Sequence, residues 1–530
     1  MDPAIYKDKW LRLRDSRVAA DELRLLPRQI AFSFIGKYFD GGSYVAEYID
    51  LLCEMAAFHS RPDLNDAASG ALFEIIVEKL CDDFEDLPVE VYSRVMCQTI
   101  SHCRTIPAGW DLDRQLADFG ITSFDQLYER AIETHTRQYR YDASTAPRKI
   151  ILLSRVTIGA DVAILSVMIQ HLRHLFPKSE IIVIGSQKLS GLFGGNADIR
   201  IRELSYARRG GLFERFASWH ATLEILREET ADGGEQDVLV IDPDSRISQL
   251  GVLPLTHTDR YLFLNTRHHM LSSTGRCMAE WTNDWMRAVF GTEEFWYPAV
   301  WVPDTLRNEA RRTVDALRAA GARRVITMNL GVGQNPRKRI DLEFEKRLLC
   351  TLIAAPGDVV ILDRGFGTDE VERAAMLAAD VRKWGFAANE TSFAGLSSAV
   401  LSHGVITVGC TIGQMAALIA HSDEYIGYDS ACQHIAAAAT TPTLTVFAGS
   451  NNESFVRRWS ACGDTDCRVV HVNAPADSDS IAVDEIIARI MQERASRERT
   501  PRIRLREVRV SRHRRREGSR DTIDPTARPE

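Results

Sequence analysis

Three short segments of this 530-residue chain combine small residues, cations and carboxylates at spacings that suit a phosphate-bearing ligand. The sharpest is Tyr425-Ile-Gly-Tyr-Asp429-Ser430-Ala431-Cys432-Gln433-His434, which leads into Ile435 and a run of alanines. An apolar strand ends there, Asp429 and Ser430 are residue types that cap, and a helix begins. The free N–H groups and the positive dipole end of such a helix attract an anion. Small residues at 430 and 431 would let a pyrophosphate approach the backbone, and His434 falls on the first turns. A capped structural helix with His434 packed in the core is an equally good reading of the residue types alone.

The second segment is Asn329-Leu-Gly331-Val-Gly333-Gln-Asn-Pro-Arg337-Lys338-Arg339. A glycine-bearing loop after a strand can cradle phosphate with N–H groups, and Lys338 or an arginine can neutralise it. The spacing and the missing Lys-Ser/Thr pair exclude a Walker A loop; the alternative is a solvated basic turn. The third segment is Ser154-Arg155-Val-Thr-Ile-Gly159-Ala160-Asp161. Asp161 near a helix start is either a partner of the helix dipole or a general base facing a cleft. Asp242 and Asp244 are similarly placed, and each acid taken alone reads first as structural. Cys462 and Cys467 stand as C-x4-C with no second pair, so no zinc site is expected. Cys432 reads as a packed thiol, and Arg267-His268-His269 as a polar surface run before it reads as part of an acceptor site.

Elements to position these residues follow from periodicity. Short continuous apolar runs, the pattern of strands buried on both faces of a parallel sheet, occur at 149–153, 180–185, 237–242, 260–264, 324–329, 358–363, 424–428 and 443–447, with a last strand near Val469-Val470. Helical stretches such as Val162 to Phe176 and Asp304 to Ala320 alternate with them, which argues for doubly wound α/β units. Residues 1–146 differ. Apolar residues recur at helical spacing in Tyr48-Ile49-Leu51-Leu52-Met55-Phe58 and Leu72-Phe73-Ile76-Val77-Leu80, with almost no strand-like alternation. The expected organisation is a helical domain over 1–146, a first Rossmann-like domain over 147–303, a second over 304–495, and a basic, disordered tail over 496–530. A cleft between the two Rossmann-like halves is where a small ligand would bind.

Composition narrows the function classes. Charged residues at 26% and hydrophobic ones at 45% describe a globular chain. The most apolar stretch, 150–170, is interrupted by Arg155 and Asp161, so no membrane span is expected. The N-terminus lacks the layout of a secretion signal. Ten cysteines, among them Cys53, Cys81, Cys97 and Cys350 within apolar segments, read as reduced buried thiols of a cytoplasmic protein. From Arg494 to Arg520 there are twelve Arg against three Glu, a net +9, which leaves −17 for the remainder of a chain whose formal charge is −8. The body therefore would not bind nucleic acid through bulk charge. The tail is either a solvated extension or a contact for an anionic surface such as the inner membrane.

Taken in order, these segments resemble the glycosyltransferase family of bacterial ADP-heptose:lipopolysaccharide heptosyltransferases, glycosyltransferase family 9, over about residues 148–475. The carriers are the Arg155…Asp161 turn with the helix ending in Phe176-Pro177, Asp237-Val-Leu-Val-Ile-Asp242…Arg246-Ile-Ser, Asn329-Leu-Gly331…Lys338-Arg339, and Thr411 to Ile419 followed by Asp429-Ser430…His434-Ile-Ala-Ala-Ala and Pro442 to Phe447. The resemblance implies a GT-B fold, inverting transfer without an obligatory metal or other cofactor, and a nucleoside-diphosphate sugar donor such as ADP-heptose. It implies Asp161 as the base on an acceptor hydroxyl of a glycan, a lipid-linked sugar or a protein. Lys338, or Arg337 if the longer loop shifts the register, would contact the donor phosphates beside Gly331 and Gly333. Asp429, Ser430, Ala431 and His434 would hold the donor. The chain departs from the family at Ala431 and Ala160, where glycine is usual, with Gly159 shifted back by one, and at Ile340-Asp341 in place of Trp-Pro. A catalytically silent nucleotide-binding scaffold and a nucleotide-sugar epimerase of the same fold stay open as alternatives.

Overall fold

The computed structural model describes residues 2–14, 20–59, 62–82, 86–142, 144–207, 210–267, 275–333, 335–472 and 482–499. His268, His269 and residues 500–530 lie outside the described residues, as does the side chain of Cys81.

Helices fill the N-terminal region, among them Ala20–Gly41, Ala46–Ala57, Asp86–Arg104 and Phe124–Thr136. The last starts at a capping box: Gln126 N–H donates to Ser123 Oγ at 3.2 Å, and the Gln126 carboxamide accepts from Ser123 N–H at 3.2 Å. The helical spacing read at 48–58 is the buried face of Ala46–Ala57, with Tyr48, Ile49, Leu51, Leu52 and Met55 inside.

Two parallel sheets follow. The first contains β1 (Lys149–Leu153), β2 (Glu180–Gly185), β3 (Ile199–Glu203), β4 (Val238–Asp242) and β5 (Tyr261–Phe263), in the order β3-β2-β1-β4-β5. The second contains β6 (Arg324–Asn329), β7 (Asp358–Asp363), β8 (Ala388–Ser392), β9 (Gly404–Gly409), β10 (Glu424–Tyr428), β11 (Thr443–Phe447) and β12 (Cys467–His471), in the order β12-β11-β10-β6-β7-β9-β8. All pairings are parallel, for instance Ile150 with Leu239 and Ile426 with Met328. β1, β4, β7, β10 and β11 are buried at every position, as their unbroken apolar runs require. Each sheet has the strand order of a doubly wound, Rossmann-like lobe.

Strand order reverses between β1 and β4 in one sheet and between β6 and β10 in the other. Ligands of open α/β sheets bind outside the strand ends at such reversals. The three segments singled out for chemistry follow β1, β6 and β10, so they flank the two switch points.

Two expectations need correction. The helix after β1 begins at Ile158, not Val162, and runs through a π turn at Asp161–Leu165 into Ser166–Leu175. It starts early because the Asp161 carboxylate bonds back to Ser154 and Arg155 and closes the loop. The final helix, Val483–Arg499, reaches into the expected tail. Arg494 is buried against Glu424, and Arg497 bonds Asp466 and the Thr443 carbonyl. These two cations anchor the helix to the second sheet.

Candidate active site at the seam between the lobes

At the first switch point β1 ends in a turn with Val156 at φ 63°. A β-branched residue in the left-handed region costs roughly 1–3 kcal/mol and is held by its surroundings. Here Val156 N–H donates to Ser154 Oγ at 2.9 Å. Ser154 Oγ donates to Asp161 Oδ2 at 2.8 Å, and Arg155 N–H donates to Asp161 Oδ1 at 2.7 Å. Asp161 is 1% exposed. Burial pushes its carboxyl up to about 7, against the opposing pull of those two donors and of the Arg155 charge. From β4, Ser245 Oγ donates to the Ser154 carbonyl at 2.5 Å and ties the two loops together.

At the second switch point Lys338 Nζ lies 2.5 Å from Asp429 Oδ2, and Gln433 Nε2 donates to Asp429 Oδ1 at 2.7 Å. Ser430 occupies the N-cap of the Ala431–Ala438 helix without capping it through its side chain. Its hydroxyl instead donates to Asn329 Oδ1 at 3.2 Å, and Asn329 Nδ2 donates to Asp363 Oδ2 at 2.6 Å. The expected side-chain cap is therefore absent, and the helix's first N–H groups have no Ser430 oxygen in front of them. His434 is buried, with its ring 6.3 Å from that of Trp459. Burial holds its imidazole down at about 4, so it is neutral at physiological pH.

The loop after β6 is arranged differently from its expected role as an open cradle. The Glu370 carboxylate accepts from Val332 N–H at 3.2 Å and pairs with Arg339 at 3.2 Å. It would lie 3.2 Å from any Cβ placed on Gly331. Gly333 adopts φ 62° with open space around it, and Arg337 is exposed. The turn carrying Lys338 is fixed from behind by Gly449, where a Cβ would meet the Arg337 carbonyl oxygen at 2.0 Å. Lys338 is thus the cation of this loop that reaches the Asp429 turn.

The lobes bring the two switch points together. A Cβ on Gly159 would meet His434 Cδ2 at 3.0 Å and Ala431 Cα at 3.2 Å, so the Asp161 turn lies on the start of the Ala431–Ala438 helix. Arg155, from the first lobe, lies over the Trp459 ring of the second at 5.7 Å. Arg155 and Arg267 converge on Asp244, which is 1% exposed. Burial lowers the Arg155 guanidinium to about 10, and that of Arg458, influenced by Arg267 and Asp244, likewise to about 10. Three guanidinium groups, of Arg155, Arg267 and Arg458, thus gather around the single carboxylate of Asp244. Asp242 accepts from Ser245 N–H and from Tyr261 OH, each at 2.7 Å, and so holds its own turn.

Sequence reading does not single out Ser154, Gln433, Glu370 or Trp459. Gln433 stands four residues after Asp429, a helical spacing that could have flagged it. Glu370 and Trp459 reach the site only through the fold.

Residues 406–477 match the sequence model of glycosyltransferase family 9 (heptosyltransferase). The matched segment is 72 of the chain's 530 residues. It runs from β9 through β12 and contains Asp429, Ser430, Ala431 and His434. No curated protein matches the chain in sequence. Solved structures similar to it include a family 9 glycosyltransferase from Veillonella parvula, at 15% identity and TM-score 0.45, covering 67% of this chain and 91% of that one. The E. coli heptosyltransferase WaaC with ADP is similar at 15% identity and TM-score 0.44, covering 65% and 99%. E. coli ADP-heptose lps heptosyltransferase II is similar at 14% identity and TM-score 0.43, with the same coverage.

Proposed function

We propose that this chain is a glycosyltransferase related to family 9, inverting and metal-independent, that moves a sugar from a nucleoside-diphosphate donor of the ADP-heptose type to a hydroxyl of a glycan, lipid-linked or protein acceptor. The reading rests on one observation: the Asp161 turn of the first lobe meets the Ala431 helix start of the second. Asp161 takes the proton of the acceptor hydroxyl as its oxygen attacks the anomeric carbon. The bond to the diphosphate breaks on the opposite face. Negative charge growing on the leaving group is met by the N–H groups at Ala431 and by Lys338, released from Asp429 as the phosphate arrives. Asp429, Gln433 and His434 shape the wall behind the sugar, with Ser430 beside them. A carboxyl near 7 is a useful base, since it is ionised in a good fraction of molecules yet keeps a strong appetite for the proton.

Asp161→Asn is expected to lower turnover by a factor on the order of 10² or more while donor affinity stays within about twofold. Near-normal turnover in that variant would remove Asp161 from the mechanism. One observation favours a silent nucleotide-binding shell instead: both Asp161 oxygens are already bonded. In that case the wild type binds nucleotide without consuming any nucleotide sugar, with or without acceptor.

A further inference from the structure

Cys277 and Cys462 come from different lobes and meet behind the seam. Cys277 is the N-cap of the Met278–Phe290 helix, its sulfur accepting from Glu280 N–H, and it is 8% exposed. That helix packs on the first lobe's helix after β1. Cys462 lies in the loop between the helix ending at Trp459 and β12. It is partly exposed and packs on the small apolar cluster formed by Val167, Cys277 and Ala279. Cys467 is the third thiol in the neighbourhood. All three are free.

We propose that Cys277 and Cys462 are a redox-active pair that closes into a disulfide joining the two lobes. Cys462, the more exposed, attacks a small-molecule disulfide such as oxidised glutathione and releases one thiol, leaving a mixed disulfide. Cys277 gives up its proton and attacks the Cys462 sulfur, expelling the second thiol. Two protein thiols lose two electrons and two protons, and the external disulfide gains both. The neighbouring Cys462 and burial raise the Cys277 thiol well above its ordinary value, so Cys462 makes the first attack, and converting Cys462 to the mixed disulfide removes the larger of those causes before Cys277 resolves it. The consequence rests on the donor reading above: a nucleotide at the Ala431 helix start requires Gly159 to part from Ala431 and His434, and a bridge between the lobes opposes that parting.

The full chain is treated with oxidised glutathione, alkylated and digested, and linked peptides are identified by mass spectrometry. The expected product joins 277 to 462, is absent in Cys462→Ser, and disappears on reduction. A glutathione adduct that goes no further, or a link from Cys467 to either partner in its place, overturns the pair. Calorimetric binding of ADP and UDP is measured on both forms. Affinity is expected to fall at least about tenfold on oxidation and to recover on reduction, while reduced Cys462→Ser binds like wild type. A linked protein with unchanged affinity overturns the gating role. A linked protein that binds neither nucleotide even when reduced leaves the disulfide standing and counts against the donor reading.

Discussion

Asp161 and His434 lie on opposite sides of the seam, and burial moves their pKa values in opposite directions, each toward the neutral form. Asp161 is raised to about 7 and His434 is lowered to about 4. A base must be ionised to act, so kcat/KM is expected to rise with pH through about 7 and level off above it. The imidazole is neutral across that window and contributes no limb there. His434→Gln should therefore keep the limb near 7 whatever it does to the rate, and a limb that vanishes with His434 would assign the titration to the wrong lobe. The placement of both residues was legible in the sequence, because a carboxylate after a strand and a small-residue helix start are local patterns. What was not legible is which groups the fold already satisfies. Nothing in Asn329-Leu-Gly331-Val-Gly333 announces that Glu370 takes up the Val332 N–H, or that Lys338 rather than Arg337 turns inward onto Asp429.

At the scale of elements, Gly159 lies directly against Ala431, and its missing side chain lets the two turns approach closely. The strands with continuous apolar runs were read correctly because burial on both faces leaves no choice of residue. β3 and β8 were missed for the converse reason: both are edge strands, and Ile-Arg-Ile-Arg-Glu and Ala-Asn-Glu-Thr-Ser are mostly polar. β9, Gly-Val-Ile-Thr-Val-Gly, had a readable β-branched run between glycines that was passed over. The helical region has a structural task that no motif reveals. The turn after β4 places Gln249, Leu250 and Gly251 in succession at positive φ, and its carbonyls face the Phe124–Thr136 helix. Arg130 donates to the Gly251 and Val252 carbonyls at 2.8 and 3.0 Å, and His135 bonds the Leu250 carbonyl at 2.7 Å. Arg130→Ala leaves those carbonyls without their donor and should lower stability by about 1–3 kcal/mol. The check is a lower melting temperature with nucleotide binding retained. An unchanged melting temperature would mean the brace carries no load.

The whole molecule is two parallel-sheet lobes whose switch points face one another, with a helical region buttressing the first. Close contact is made by small residues on both sides. Gly191 and Gly413 touch through their backbones, since a Cβ on Gly413 would meet Gly191 Cα at 2.7 Å, and Gly159 rests on Ala431. Among the described residues no helix is long and apolar enough to cross a membrane. The pairing of lobes followed from the alternation of strands and helices. Their contact did not, because it depends on glycines whose only signature is the absence of a side chain. The central claim is that this seam receives a nucleoside diphosphate sugar at Lys338 and the Ala431 helix start. The most direct measurement is a thermal-shift panel of nucleoside diphosphates and their sugars on wild type and Lys338→Ala. Saturation at about 100 times Kd adds about 2.7 kcal/mol to the folded state. The expected result is a melting temperature raised by at least a few degrees for one nucleotide class in the wild type, and a much smaller rise in Lys338→Ala. A panel that leaves the wild type unmoved, or moves both proteins equally, contradicts the account.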